Sequence, residues 1–169
     1  MEMWETLKII GENANMEFLE ICSDNIDDIE QIEKIEQESF GIGAIDQWVL
    51  KPISRYGKIL ALKECGKVVG ICELMWKWNS REVYIFSFAI RKDWQGRGWG
   101  KLLMEKTVAF LEKEDVEKIM LTVTISNISA IKLYEKLGFT KERVLKDEYG
   151  DGVDKCLMMK RLNSSIKGV

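Results

Sequence analysis

The chain has 169 residues, with 25 Lys and Arg against 28 Asp and Glu, four cysteines, one proline and no histidine. Without an imidazole, a Ser-His-Asp or Cys-His triad, a His-ligated zinc and a histidine general base are all excluded. With 46% apolar residues, residues 1–169 are expected to form a single soluble domain whose core needs neither disulfides nor metals.

After a mixed polar start over Met1–Asn15, the alternation from Met16 to Ile21 predicts a strand, with Phe18 and Ile21 apolar. Ser23 or Asp24 is placed to cap a helix in which Ile26, Ile29, Ile32 and Ile35 recur, with Phe40 beyond. Asp27, Asp28, Glu30, Glu33, Glu36 and Glu38 fill the other face, so this helix is expected to be amphipathic and strongly acidic, ending at Gly41 and Gly43. A shorter helix from Asp46 carries Trp48, Val49 and Leu50, and Pro52 falls in a loop or helix end. Residues 58–63 and 67–78 read as strands joined at Cys65-Gly66, and 81–90 as a third. From Gly98 the period changes: Leu102, Leu103, Val108, Phe110 and Leu111 follow helical spacing to about Lys113. Residues 118–125 return to strand, 129–137 to a helix stopped by Gly138, and 139–148 with 153–161 form a hairpin about Gly150-Asp151-Gly152. This order predicts an α/β (α+β) fold, a mixed sheet with helices on both faces.

Cys22, Cys65, Cys72 and Cys156 form no Cys-x-x-Cys pair, and the start lacks the cationic and apolar regions of a signal peptide, so a reducing, cytoplasmic setting is expected. No apolar run approaches the roughly 18 residues of a membrane span, and no membrane partner is expected. Residues 1–46 carry 13 acids and two lysines, a net −11, whereas 47–169 carry a net +8. The split predicts two surfaces with different partners, one for cations and one for anions, rather than nucleic-acid binding by the whole chain. Plain solvated helix faces are the other reading.

Chemistry concentrates in Gln95-Gly96-Arg97-Gly98-Trp99-Gly100-Lys101, between an apolar strand and an amphipathic helix. A glycine-rich turn there aims backbone N–H groups outward at a helix N-terminus, which favours phosphate, and Arg97 and Lys101 add charge. A Walker loop fails because Leu102 follows Gly100-Lys101 where Ser or Thr should hold magnesium. A dinucleotide fingerprint fails at Lys101, where its third glycine belongs, and at Met120 and Leu121, where its acid belongs. A turn without a ligand stays open.

Gln95, Gly98 and Gly100 satisfy the Gln/Arg-x-x-Gly-x-Gly/Ala signature of the GNAT superfamily of acyl-CoA-dependent N-acetyltransferases, and Asn127–Phe139 matches its second block. The chain resembles this family over about residues 16–161, nearest the branch acting on ribosomal-protein and other N-termini. The resemblance implies a mixed, mostly antiparallel sheet of about seven strands with a splay between the fourth and fifth. It implies acetyl-CoA as co-substrate, no metal, and direct attack by an amine in a ternary complex. Phe88, Ala89 and Ile90 would pair with the pantetheine and the backbone near Ala89 would stabilise the acetyl oxygen. The amides of Gly96, Arg97, Gly98, Trp99, Gly100 and Lys101 would take the pyrophosphate. Asn127 matches a cofactor-side asparagine, or simply caps a helix.

Among proton carriers, Tyr134 matches the tyrosine that donates to the leaving thiolate; helix packing is its plainer role. Tyr84 matches a tyrosine of N-terminal acetyltransferases, but Thr122 stands where that group carries His or Glu. Tyrosine is a weak base, so Tyr84 is expected to orient a water, with Glu82 and Glu73 as alternative bases or as solvated strand residues. The acidic stretch Ile26–Leu50 would wall the acceptor, a cationic small amine or a peptide N-terminus. Trp76 and Trp78, with Tyr84, would line an aromatic slot or pack in the core. Family members often form homodimers. A catalytically silent CoA-binding or sensing domain, and an interaction module using the acidic helix, are the competing functions.

Overall fold

In the computed structural model, the described residues are 7–8 and 16–162. The expectation for the start of the chain lies outside them except at Leu7–Lys8. They fall into two compact units, one of residues up to Leu74 with Ser87–Thr107, the other of Met75–Phe86 with residues from Val108 onward.

The first unit begins with an antiparallel meander of β1 (Leu7–Lys8), β2 (Met16–Glu20), β3 (Lys58–Glu64) and β4 (Lys67–Trp76). Next to β4 comes the C-terminal half of β5 (Glu82–Ile90). Pairs such as Phe18↔Leu62 and Leu60↔Cys72 set the register, with a bulge at Leu62/Lys63. Over β2 and β3 lie α1 (Ile26–Phe40) and α2 (Gln47–Tyr56), joined through a 3-10 turn at Gly41–Gly43. Ile29, Ile32 and Ile35 of α1 and Leu50 and Ile53 of α2 pack with Ile59, Ala61 and Ile71 into one apolar cluster. Each such side chain contributes about 1.5–3 kcal/mol by leaving water. Gly70 makes the strand packing possible: a Cβ there would sit 2.5 Å from the Ile90 side chain and 3.2 Å from Leu103.

Local chemistry corrects several expectations. The cap of α1 is neither Ser23 nor Asp24 but Asn25, whose Oδ1 accepts from the Asp28 N–H. The acidic face is not wholly solvated, because Asp28 and Glu36 are buried. Positions 28, 32 and 36 are four apart and share one side of the helix, so the stripe that buries Ile32 takes two acids with it. Lys63 Nζ meets Asp28 at 2.6 Å and Asn25 Nδ2 donates to its other oxygen at 2.7 Å. Pro52 lies inside α2, where it removes one helical hydrogen bond.

In the second unit the strand order is β5-β6-β8-β7, with β6 at Lys118–Thr124, β7 at Thr140–Leu145 and β8 at Lys155–Arg161. The N-terminal half of β5 runs parallel to β6 from Glu82↔Lys118 to Ile85↔Leu121, and β8 lies antiparallel to both β6 and β7. The parallel ladder stops at Ile85↔Leu121 although β5 runs on to Ile90 and β6 to Thr124, as a splayed sheet requires. Helix α3 (Trp99–Lys113) starts in the first unit and ends in the second, which also holds α4 (Ile128–Lys136). The fold is the expected α/β arrangement with a mixed sheet; the seven longer strands are those read from the sequence, and the two-residue β1 is an addition.

Candidate active site

In the first unit, the chain leaves β5 through a 3-10 turn at Lys92–Trp94 and enters the glycine loop. The Gln95 side chain donates to the Ile90 carbonyl at 2.9 Å, which ties the loop to the end of β5. Gly96 and Gly98 have φ of +75° and +84°, and an added Cβ at either would meet nothing within 4 Å. Glycine is needed there for backbone conformation, not for room. The α3 ladder opens with the Leu102 N–H on the Gly98 carbonyl at 3.1 Å, so the amides of the preceding turn lie outside the helix's own hydrogen bonds. The Arg97 guanidinium sits 5.5 Å over the Trp94 ring, Trp99 packs against Trp94 at 6.3 Å, and Lys101 is exposed one turn from Glu105. The loop is therefore a cationic cradle of amides at the start of a 15-residue helix, which suits a phosphate group. Upstream, Ala89 and Ile90 are buried, Phe88 is half-buried, and the Arg91 N–H reaches the Val69 carbonyl at 2.8 Å.

In the second unit, Tyr134 is buried on α4, its ring 5.7 Å from that of Phe139. Its carbonyl takes the N–H groups of Leu137 and Phe139, each at 3.0 Å, where Gly138 turns the chain with φ +84°. Asn127 Oδ1 accepts from the Ala130 N–H at 3.1 Å, so Asn127 does cap α4. The hydroxyls of Tyr84 and Thr122 lie 2.7 Å apart, and Tyr149, which the sequence reading passed over, brings its own to 3.4 Å from Thr122. Burial chiefly pushes the Tyr84 phenol up to about 12, and Tyr149 adds to the rise. A phenol so raised keeps its proton, which disfavours it as a base.

Glu82 and Glu73 part company. Glu82 meets Lys118 at 2.6 Å and Lys77 at 3.8 Å, and the Lys118 hydrogen bond holds its carboxyl below the usual range. Glu73 is no solvated strand residue: it is 0% exposed on β4, and neither carboxyl oxygen has a hydrogen-bond partner among the described residues. Burial first, and the nearby Glu36 second, drive its carboxyl well above the ordinary value. Glu36, 2% exposed, accepts from the Ser87 hydroxyl on one oxygen and from the Ile45 N–H on the other at 3.3 Å. Burial raises it too, and the two hydrogen bonds offset part of the rise. Strand spacing gave the sequence reading no reason to place Glu36 or Ser87 at a site; only the four-residue step from Ile32 hinted at it. The strand β4 ends at Trp76, and Trp78 is 94% exposed in the following turn, so the two tryptophans do not share a strand face. Among the described residues, no group of three His, Cys, Asp or Glu side chains is placed to hold a metal ion.

The sequence profile described as the acetyltransferase (GNAT) family matches residues 24–139. An N-alpha-acetyltransferase of Saccharolobus solfataricus is 30% identical over 150 residues, covering 81% of this chain and 89% of that protein. The crystal structure of the ribosomal-protein-S18-alanine N-acetyltransferase from Escherichia coli aligns with a TM-score of 0.77 and 24% identity, over 91% of this chain and 98% of the other. A chain of the NatC complex bound to Gag peptide and CoA aligns with a TM-score of 0.77 and 19% identity, over 88% and 99%.

Proposed function

The chain belongs to the acetyltransferase (GNAT) family and is an acetyl-CoA-dependent N-acetyltransferase, and on that premise we propose that its acceptor is the α-amino group of a peptide or protein N-terminus. The observation that carries the acceptor is the likeness to the Saccharolobus solfataricus N-alpha-acetyltransferase over four fifths of the chain. A cationic small amine is the competing acceptor. The four cysteines are free and two of them are exposed, which supports a reducing cytoplasmic setting, and no helix of the described residues is long and apolar enough to cross a membrane.

Acetyl-CoA supplies the acetyl group as a thioester. The glycine loop fits its phosphates: the positive-φ glycines turn amides outward, and Arg97 and Lys101 add positive charge. Gly96, Arg97, Gly98, Trp99, Gly100 and Lys101 would hold the pyrophosphate, and Phe88, Ala89 and Ile90 the pantetheine arm. Asn127 would serve the cofactor side as well as capping α4. The Ala89 N–H would stabilise the negative charge that develops on the acetyl oxygen. Tyr134 would protonate the leaving sulfur, and Tyr84, hydrogen-bonded to Thr122, would orient water or the acceptor rather than remove its proton. Acidic residues exposed on α1, Asp27 and Glu30 among them, would draw a cationic acceptor.

The test is acetyl-CoA consumption over peptides of varied first residue, the same peptides with blocked N-termini, polyamines, aminoglycosides and amino acids. Product only on free-N-terminal peptides is the expected result. Turnover only on polyamines would overturn the acceptor, and CoA binding without turnover on any amine would favour a silent sensing domain.

A further inference from the structure

A chain without histidine, whose Tyr84 keeps its proton and whose Glu82 is tied up by two lysines, still has to take a proton from an acceptor amine that arrives as an ammonium. The buried side of the first unit offers a group that the reaction has not yet used. Glu36 on α1 and Glu73 on β4 lie close enough to repel one another, and both are almost wholly out of water. Two carboxylates so placed cannot both ionise cheaply, so the pair favours a single negative charge. That charge belongs on Glu36, which has hydrogen bonds from Ser87 and Ile45, while Glu73 has none. Cys72, next to Glu73 on β4, points to the opposite face of the sheet, and burial pushes its thiol up to about 12, so it stays neutral and adds no charge to the pair. No lysine or arginine forms an ion pair with either carboxyl among the described residues.

Ser87 connects this charge to the strand that carries the chemistry. It lies on β5 two residues before Ala89, and strand periodicity puts both on one face, in accord with their shared burial against the half-open Phe86 and Phe88. Its hydroxyl hydrogen is committed to Glu36 Oε1, which leaves the Oγ lone pairs to accept another proton.

We propose that Ser87 and Glu36 form the route by which the acceptor amine loses its proton, with Glu73 kept neutral beside them so that the pair carries one negative charge. This rests on the reading above that the acetyl group is held at the C-terminal half of β5. The acceptor ammonium gives a proton to Ser87 Oγ as the Ser87 hydroxyl passes its own to Glu36 Oε1. The freed lone pair forms the C–N bond to the acetyl carbon, the C–S bond breaks, and the departing sulfur is protonated as the nitrogen gives up its second proton. Glu36 then returns its proton through Ser87 to solvent as the product leaves. Glu36 acts only through Ser87, so it is a positioning residue, and its test needs more than a rate.

The test is kcat/KM against pH for the wild-type chain, Glu36→Gln, Ser87→Ala and Glu73→Gln, with a free-N-terminal peptide as acceptor and folding checked by thermal melts. Wild type should show an acidic limb. Glu36→Gln and Ser87→Ala should lose about 10²-fold at pH 7 and recover as the pH rises and the amine loses its proton unaided. Glu73→Gln should keep the limb. A Glu36→Gln enzyme with the wild-type rate and limb, or one lowered equally at every pH, overturns the route, as does loss of the limb in Glu73→Gln. A wild-type chain that acetylates nothing at any pH overturns the functional reading itself and the route with it. In the free protein, carbon-13 titration of the glutamate carboxyls should show two late ionisations, one of them later still in Ser87→Ala; ordinary titration of both carboxyls overturns the paired charge.

Discussion

Tyr134 and Gly98 show how differently single residues expose their roles. Tyr134→Phe keeps the ring against Phe139 and deletes one oxygen, so kcat should fall by about 10²-fold with the KM for acetyl-CoA little changed. Steady-state kinetics with both substrates varied would check this, and full activity would remove Tyr134 from its role. Gly98→Ala places a Cβ in open space but at φ +84°, so its cost is conformational, about 1–2 kcal/mol. The expected outcome is weaker CoA binding by calorimetry and a modestly lower melting point. The role proposed for Tyr134 rests on the motif it matches, whereas the turn at Gly96 and Gly98 was legible from residue type alone, because glycine adopts positive φ freely. Glu73 was not: the same letter stands for a solvated strand residue and for a wholly buried acid, and only packing tells them apart.

Helix α1 carries the same lesson over four turns. Its end at Gly41 and the burial of Ile29, Ile32 and Ile35 followed from periodicity, but its cap lies at Asn25, Ile26 is exposed, and Asp28 and Glu36, read as polar-face residues by type, lie under the helix. The acids therefore divide into two classes with separable behaviour. Reversing Asp27 and Glu30, both exposed, should raise the KM of a cationic acceptor and weaken its salt dependence while leaving stability near wild type. Asp28→Lys would instead strand Lys63 in a half-dry site without its partner, at a cost of about 3–5 kcal/mol, which a urea melt would detect. Removing the cap with Asn25→Ala should cost about 1 kcal/mol by the same measurement. Equal effects on stability from Asp27 and Asp28 would contradict this division.

Across the whole chain, the buried acids set how stability answers to pH. Glu73 and Glu36 ionise later folded than unfolded, so the folded state holds more protons once the pH exceeds the ordinary value of 4.5. Their contribution is fully present below that value and is lost as the pH rises through their raised folded values. Melting temperature should therefore fall with rising pH over that window, and Glu73→Gln should flatten the curve; a curve unchanged by that substitution would contradict the buried charge. Fold class was legible in the sequence because strand and helix periods change cleanly along the chain, and the two motif blocks place the glycine loop and α4. The division of β5 between two compact units, which falls between Phe86 and Ser87, was not legible, since one serine in an otherwise apolar run from Val83 to Ile90 does not mark a boundary.

The strand order β5-β6-β8-β7 has a consequence for synthesis. The last strand of the described residues occupies the middle: β8 fills the space between β6 and β7, pairing Lys118↔Arg161 on one side and Thr140↔Met159 on the other. Until Lys155–Arg161 leaves the ribosome, β6 and β7 present two unfilled edges to the cell, and the apolar surface that Cys156 and Met158 will cover stays wet. The nascent chain is most vulnerable to aggregation in that interval, and it closes with the arrival of one seven-residue segment.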